Sequence, residues 1–575
     1  MDTPRPQAVQ RLAVVGRALA TFAACSVASG VVAAPLAAQH AIESVGFDDY
    51  LGAVPVRVSL AHNGVSTLDT GVLGRLYWDR TGAYGFGALL RVTGPPEAAG
   101  PGLAAYVDPA FLKTSTAFVD DPPTVAASYG AELRGRLLSE LLRVDLLAAF
   151  AGGLVLTLAL RGRPQLAQVP WPRRSLTCVV VLLAATLASG AAAARLFNQW
   201  DGSVAPEDAY DMPDVPGLSF SSPEAREIAV QVRPFVEKNA RRIEERSDAY
   251  ASAVQASIRE ALDATSGDLV PRAGERIVLA EADTQGSFVG QRVRALVYAA
   301  LAEELGDDAF AVRTISGDVT SNGTVAEDSY VRAEASTTPS VPTVAVKGDH
   351  DTDTTVTQMD AFGLLTPHLD PAEVAGLRVV TGNDPAFKTL FGGTVVNTSG
   401  TTEADIGTAV REQVEDEDDG AGTIVLLHQP VSAAAYLGVS SLEDVASIDP
   451  ADPSALRTPR DDGIPDMPPG IVNVGHLHDA MPPRIIWNTD TDKVTWTVVN
   501  KLGTAGGVEE NPTFNRFSTP FSTPLKDLSV QLQYVDVATG LQTGYADLTV
   551  SPTGHVTLGQ RTDIGAPPTS ALLDR

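Results

Sequence analysis

The sequence predicts an α/β domain carried behind membrane-spanning segments, and three observations predict it. The 575-residue chain has 42 Lys plus Arg against 70 Asp plus Glu, a formal net charge of −28, yet its mean hydropathy is slightly positive. An acidic chain is apolar on average only when its hydrophobic residues are gathered into segments. Three such runs occur before residue 200, and they account for the paradox. Beyond Arg276 six short apolar runs, RIVLAEAD, FAVRTISGD, PTVAVKGD, LRVVTGND, TIVLLHQ and GIVNVGHLH, alternate with loops and helical stretches and read as buried strands ending in polar residues. That is the layout of an α/β domain, in which ligands bind past the ends of strands.

Residues 1–40 read as an anchor. The run Ala18 to Ala38 follows Arg5, Arg11 and Arg17 and has the ~20 residues that cross roughly 30 Å of hydrocarbon. Leu36, Ala37 and Ala38 form a passable signal-peptidase site, so this run is either a retained helix or a cleaved signal. Residues 41–140 alternate and are rich in turns, as in VPVRVSL and GALLRVT, which predicts a small β-rich module. Residues 141–197 hold two further apolar runs, a short one from Leu146 to Leu160 and a longer one from Leu176 to Ala194. Between them Arg161, Arg163, Arg173 and Arg174 stand without an acidic residue, which marks a cytoplasmic loop. Three crossings then place Phe197 to Arg575 outside the cell. None of the runs has the polar face of a surface helix of a soluble protein.

Residues 198–270 predict a helical stalk or outer packing helix, with Ser222 as cap, Pro223 in the first turn and Glu224 at the positive helix end. Residues 271–481 form the α/β domain, and residues 482–575 alternate strongly, as in KVTWTVV and LSVQLQYV, which predicts a β extension. Some chemistries are excluded. The acidic balance disfavours a nucleic-acid polymer as partner. The two cysteines, Cys25 and Cys178, both lie in apolar runs and offer neither a disulfide framework nor a thiolate metal site. The apolar runs also lack the central ionisable residues of a translocation path. The acidic run from Glu415 to Gly420 reads as a solvated loop, and the clusters starting at Asp351 and Asp490 lack the spacing and the final Glu of a calcium loop.

Five short motifs close predicted strands. They are ADTQ with Asp283 and Gln285, SGDVTSNGT with Asp318 and Asn322, KGDHD with Asp349, His350 and Asp351, LLHQP with His428, and VGHLHD with His476 and His478. Strand ends converge in an α/β fold, so these aspartates and imidazoles are expected in one pocket. Carboxylates crowded there repel one another unless cations share the site.

In order and spacing these motifs resemble those of the calcineurin-like metallophosphoesterases, D-x-H, GD-x-x-x-x-G, GNHD, a strand-end His and GH-x-H. The resemblance covers about Arg276 to Asp479, and the anchor is similar to that of the membrane-anchored type found in actinobacteria. It implies a two-sheet β-sandwich flanked by helices, preceded by three transmembrane helices and the small β-rich module. It further implies two divalent metal ions, manganese, iron or zinc. Asp283, Gln285 and His478 would line one position, Asp318 would bridge, and Asp349, His428 and His476 would line the other. His350 would meet the phosphate, with Asp351 orienting it. The implied reaction is metal-dependent hydrolysis of a phosphomonoester or phosphodiester, on a small molecule or an envelope polymer. Gln285 stands where the family has His and Asp349 where it has Asn, a shift that favours a harder ion such as manganese or magnesium. The same Gln285 supports a competing reading, an inactive relative serving as an envelope binding or scaffold module.

Overall fold

The computed structural model describes residues 7–51, 54–61, 65–71, 74–78, 87–94, 122–161, eight residues between 183 and 194, 209–215, 217–388, 395–416, 421–445, 453–460, 463–489, 494–508 and 523–565. Their contacts divide into two units, the first made of residues 1–49, 56–93 and 126–231 and the second dominated by 232–575.

In the first unit, helices α1 (Gln7–Ser44) and α2 (Pro122–Arg161) lie side by side. Gly152 and Gly153 approach Ser29 and Ser26 so closely that a Cβ at either would clash, and Phe22 meets Phe150 edge-on at 5.6 Å between ring centroids. Small residues at the contact let the two apolar helices approach closely. The segments Ala18–Ser44 and Ala127–Leu158 are long and apolar enough to cross a membrane. Val27, Val31, Leu147, Phe150 and Val155 point outward, each 60–68% exposed. The second span is therefore not the short run the hydropathy suggested, because the helix continues over 40 residues. Most of the third expected span, and the loop from Arg163 to Arg174, lie outside the described residues.

The unit also holds a seven-stranded sheet of β1 (Gly46–Leu51), β2 (Val54–Ala61), β3 (Ser66–Asp69), β4 (Arg75–Trp78), β5 (Gly87–Val92), β6 (Tyr210–Asp211) and β7 (Ser219–Phe220), in the order 1-2-5-3-4-7-6. Five of its strands fall within the residues expected to be β-rich, while β7 and the edge strand β6 come from residues assigned to the stalk. Helix α3 (Pro223–Leu269) follows, and Ser222 caps it by accepting the Ala225 N–H at 3.1 Å.

The second unit is built on two mixed sheets. The first consists of β8 (Glu275–Glu281), β9 (Phe310–Ile315) and β10 (Thr343–Ala345), which are parallel. The second contains β11 (Ala372–Val374), β12 (Leu377–Gly382), β15 (Thr423–Leu427) and β16 (Gly470–Val474), while β13 (Phe387–Lys388) and β14 (Val395–Val396) form a separate hairpin. All six strands foreseen after Arg276 are present. Strands β17 (Arg484–Asn488) and β18 (Thr495–Lys501) complete the second sheet, and β19 (Leu528–Asp536), β20 (Gln542–Val550), β21 (Val556–Leu558) and β22 (Thr562–Asp563) complete the first. The residues expected as a β extension are therefore integral to the fold, with β19 antiparallel to β8 in the middle of its sheet.

The sheets face each other across a shared core of Val278, Val312, Val344, Val379, Ile424, Leu426 and Ile471. On the outer face of the first sheet pack α3, through Val254 and Ile258, and α4 (Phe288–Leu305), through Val293, Val297 and Leu301. Helix α5 (Asp328–Ala335) and α6 (Asp353–Phe362) join a smaller core with β10, while α7 (Glu403–Asp416) and α8 (Pro430–Leu437) cover the second sheet through Val410, Val414, Tyr436 and Leu437. Strands buried on both faces must be continuous apolar runs. That requirement is why these segments stood out in the sequence.

Candidate metal centre

The parallel strands of both sheets end beside one another, and each delivers a polar residue past its last hydrogen bond. Asp283 follows β8, Asp318 follows β9, Asp349 follows β10, His428 follows β15, and His476 and His478 follow β16. The structure thus brings the five motifs together. The backbone bends sharply to do so: Asp283, Gln285, Asp318, His476 and His478 all have positive φ, between 41° and 76°. Such conformations cost about 1–3 kcal/mol each in non-glycine residues and concentrate at functional sites. Close approach demands glycine as well, since a Cβ at Gly317 would strike the His428 ring and one at Gly348 would strike Asp318.

Three groups of ligand atoms come within 4.8 Å of one another, Asp349 with His428 and His476, Asp283 with Asp318 and His428, and Asp318 with Asp349 and His350. His428 Nε2 lies 3.1 Å from Asp349 Oδ1 and 3.3 Å from Asp318 Oδ1, and His476 Nδ1 lies 3.3 Å from His428 Nε2. His478 Nε2 is 3.5 Å from Asp283 Oδ1. Asp283, Asp318, His428 and His478 are all buried.

This donor set fits a divalent cation. The outer ring nitrogens of two histidines are held by carbonyls, His428 Nδ1 by Ser316 O at 3.0 Å and His478 Nδ1 by Val508 O at 2.7 Å. Each therefore keeps its Nδ1 proton on a carbonyl and turns Nε2 inward, the nitrogen a metal would take in place of any proton it carries. Burial pushes the Asp283 carboxyl well up, and the Asp318 charge adds to the rise. Burial works against a charged His428, yet Asp318, Asp349 and Asp283 raise it well above the ordinary imidazole range. Burial likewise opposes a charged Asp349, but hydrogen bonds from His428 and His476 outweigh it and hold the carboxyl well below its ordinary value. The pocket thus carries more negative charge than its own imidazoles neutralise comfortably, and a cation resolves the excess.

Gln285 sits between two acceptors, with Nε2 3.1 Å from Asp318 Oδ2 and 3.2 Å from His478 Nε2. Because the Val508 carbonyl takes the His478 proton, both neighbours accept and the Gln285 amide nitrogen donates to them. The residue is in place, acting here as a donor; a half-turn of the amide presents its carbonyl oxygen instead. His350 donates its backbone N–H to Asp318 Oδ1 at 2.9 Å, and its ring Nδ1 lies 2.9 Å from Ser321 O.

Asp351 corrects an expectation. Its carboxylate does not hold the His350 ring; it accepts from the N–H groups of Val319, Thr320 and Gly348 at 2.8–3.0 Å and from the Thr320 hydroxyl at 2.7 Å. Burial, with the Asp318 charge, raises it to about 6. Two short polar loops compete for it and leave no oxygen for the ring, so Asp351 ties the Asp318 loop to the Asp349 loop. The neighbouring acidic residue Asp353 opens α6 behind the Thr352 cap.

Sequence reasoning missed two residues of this neighbourhood. Asp384, just past β12, is 3% exposed, and burial raises its carboxyl. Gln429 Nε2 lies 3.4 Å from His476 Nδ1. Both closed recognised strand ends, in LRVVTGND and TIVLLHQ, and that placement was the available signal.

A buried ion cluster braces the site from behind. Arg294 Nη1 lies 2.5 Å from Glu281 and 2.7 Å from Glu334, and Arg313 Nη2 lies 2.9 Å from Glu281 and also contacts Glu334. No family model and no curated protein matches the chain.

Proposed function

We propose that the chain is a membrane-anchored, metal-dependent phosphoesterase of the calcineurin-like kind, hydrolysing a phosphomonoester or phosphodiester. The observation that carries this reading is Asp318, whose carboxylate is shared between the group around Asp349 and the group around Asp283. Asp349, His428 and His476 would hold one ion and Asp283, His478 and a turned Gln285 the other, with manganese favoured by the oxygen-rich donor set. Bound ions would draw in the phosphate oxygens and make hydroxide available near neutral pH. The side chains supply the rest. His350, beside Asp318 and with its Nδ1 proton on Ser321 O, presents Nε2 toward the site. From there, once Nε2 has taken up a proton, it stabilises charge on the phosphate or passes that proton to the leaving alkoxide, worth about 10²–10⁴ in rate for a placed acid. The buried carboxylates repel a second anion unless a cation is present, so ester binding is conditional on metal. We place the domain outside the cell behind three crossings, on the strength of the arginine loop before the third span.

A second reading has its own observation. The Gln285 amide hydrogen-bonds to both neighbours and satisfies them without an ion, as a binding module of the same shape would do. One experiment separates the two. The full chain, loaded with manganese, is assayed for bound metal by elemental analysis and for phosphate release from p-nitrophenyl phosphate and its diester. Bound manganese with turnover supports the enzyme, and no metal after loading abandons it for the binding module.

A further inference from the structure

A groove of about 480 Å³, measured out to its open mouth, runs beside the metal centre. It shares a wall with that centre. Leu477, on its lining, stands between His476 and His478, and Pro430 follows Gln429, which touches His476. Leu477 and Met481 are 38% and 37% exposed, and neighbouring Val431 is 56% exposed, so large apolar side chains gather at the rim of a polar site. Among the described lining residues there is no aromatic ring. Nucleobases are gripped largely by stacking on such rings, whereas Leu, Met and Pro walls suit an aliphatic chain.

The charge on this groove narrows the choice. Arg484 is spent on Glu443 at 3.0 Å and on the Leu442 carbonyl. Lys501 makes no salt bridge among the described residues, and its ammonium faces Met481 Sδ at 3.6 Å. Asp479 feels the Lys501 charge but is itself paired with Lys526, so an excess of positive charge remains beside the apolar wall and repels a cationic ligand.

We propose that this groove receives the aliphatic alcohol part of a phosphate ester and that Lys501 selects against cationic head groups such as choline. The inference rests on the phosphoesterase reading for the position of the phosphate. Each methylene that leaves water is worth about fourfold in affinity. Hexyl phosphate should therefore show a KM about tenfold or more below that of methyl phosphate, even with the chain half covered.

The test uses the full chain in lipid nanodiscs with manganese. Phosphate release is measured for methyl, butyl and hexyl phosphate, and for choline phosphate against its uncharged carbon isostere, 3,3-dimethylbutyl phosphate. Binding of methylphosphonate and hexylphosphonate is measured by calorimetry, with empty nanodiscs as the blank. Support is a KM and Kd that fall with chain length, a slope flattened in Leu477→Asn, and a preference for the isostere that narrows in Lys501→Met. Equal constants for methyl and hexyl compounds, or choline phosphate used as well as its isostere, would overturn the proposal while turnover kept the phosphoesterase reading intact. Chain-length-dependent phosphonate binding with no ester hydrolysed would do the reverse.

Discussion

Replacing Glu281 by Gln removes one charge from a cluster sealed inside the domain. Glu281, Glu334, Arg294 and Arg313 are each at most 1% exposed. Their charges cancel, two acids against two guanidinium groups, and Tyr298 and Tyr330 donate hydrogen bonds to Glu281 and Glu334. Glu281 alone takes Arg294 Nη1 at 2.5 Å, Arg313 Nε at 3.0 Å and Arg313 Nη2 at 2.9 Å. In Glu281→Gln two buried cations share one carboxylate, and breaking a buried pair in this way costs about 3–5 kcal/mol. At about 2 °C per kcal/mol for a domain of this size, Tm should fall by roughly 6–10 °C. Fluorescence of Trp487 and Trp496, which pack together within the second sheet, reports the transition in the full chain. The double variant Glu281→Gln/Arg294→Met restores neutrality and should lose less than the sum of its parts. Strand β8 runs from this cluster into Asp283, so manganese affinity should fall with stability. A Tm within about 2 °C of wild type, or strict additivity in the cycle, would refute the reasoning that these charges depend on one another.

Asp318→Asn removes the carboxylate shared by both ligand groups and should abolish bound manganese and turnover together, whereas His555→Ala, exposed beside Ser257, should change neither. Gln285→His should tighten metal binding and lower the manganese concentration for half-maximal hydrolysis, Asp349→Asn alone should weaken it, and the pair should be nearly neutral; a cycle without an interaction term would mean that Gln285 never faces an ion. Glu275 is opposed by burial, but hydrogen bonds from Arg561, Thr543 and the Arg272 N–H lower it from 4.5 to about 2. Its stabilisation is therefore complete above pH 4.5 and lost as pH falls from there toward 2, so Glu275→Gln should lower Tm at pH 7 and flatten its fall across that window. Reporter fusions should place the loop from Arg161 to Arg174 inside the cell and residues after Phe197 outside; protection of the C-terminal domain from external protease in intact cells would reverse that assignment.

The sequence exposed those parts of the fold in which one segment carries the whole signal. RIVLAE, TIVLL and GIVNV are buried on both faces, so apolar character alone marks them as strands. The site was readable for the same reason, since its residues are whatever polar group ends each run. Partnership was less visible. Nothing within LSVQLQYVD says that it pairs with a strand some 250 residues earlier, and its Gln533 reads as a surface residue. In the structure Gln533 is fully buried and joins Asn473, Asn500, Gln531 and Gln542 in an amide network linking the two sheets. The two-residue strands β6 and β7 are too short to show a period. Asp351 was misassigned because adjacency in sequence suggested a contact that the turn at Gly348 directs elsewhere.

The ion cluster and the metal centre adjoin along β8 and β9, where Glu281 precedes Asp283 and Arg313 precedes Asp318, and they treat buried charge in opposite ways. Glu281 and Glu334 are matched by Arg294 and Arg313, so that region is complete without any ligand. A few residues on, Asp283, Asp318 and Asp349 are brought together, and among the described residues no Lys or Arg forms a salt bridge with any of them. Among the described residues the titratable groups that pair with them are imidazoles, which neutralise a carboxylate by taking a proton and cease to be ligands when they do. A fold that places guanidinium groups so accurately behind the site could have placed one within it. Instead His428 and His478 have Nδ1 fixed on carbonyls and Nε2 turned inward, beside strained loops that aim carboxylates at the same point. Structural stability explains the first arrangement. The second is suited to a positive charge that comes from outside the chain.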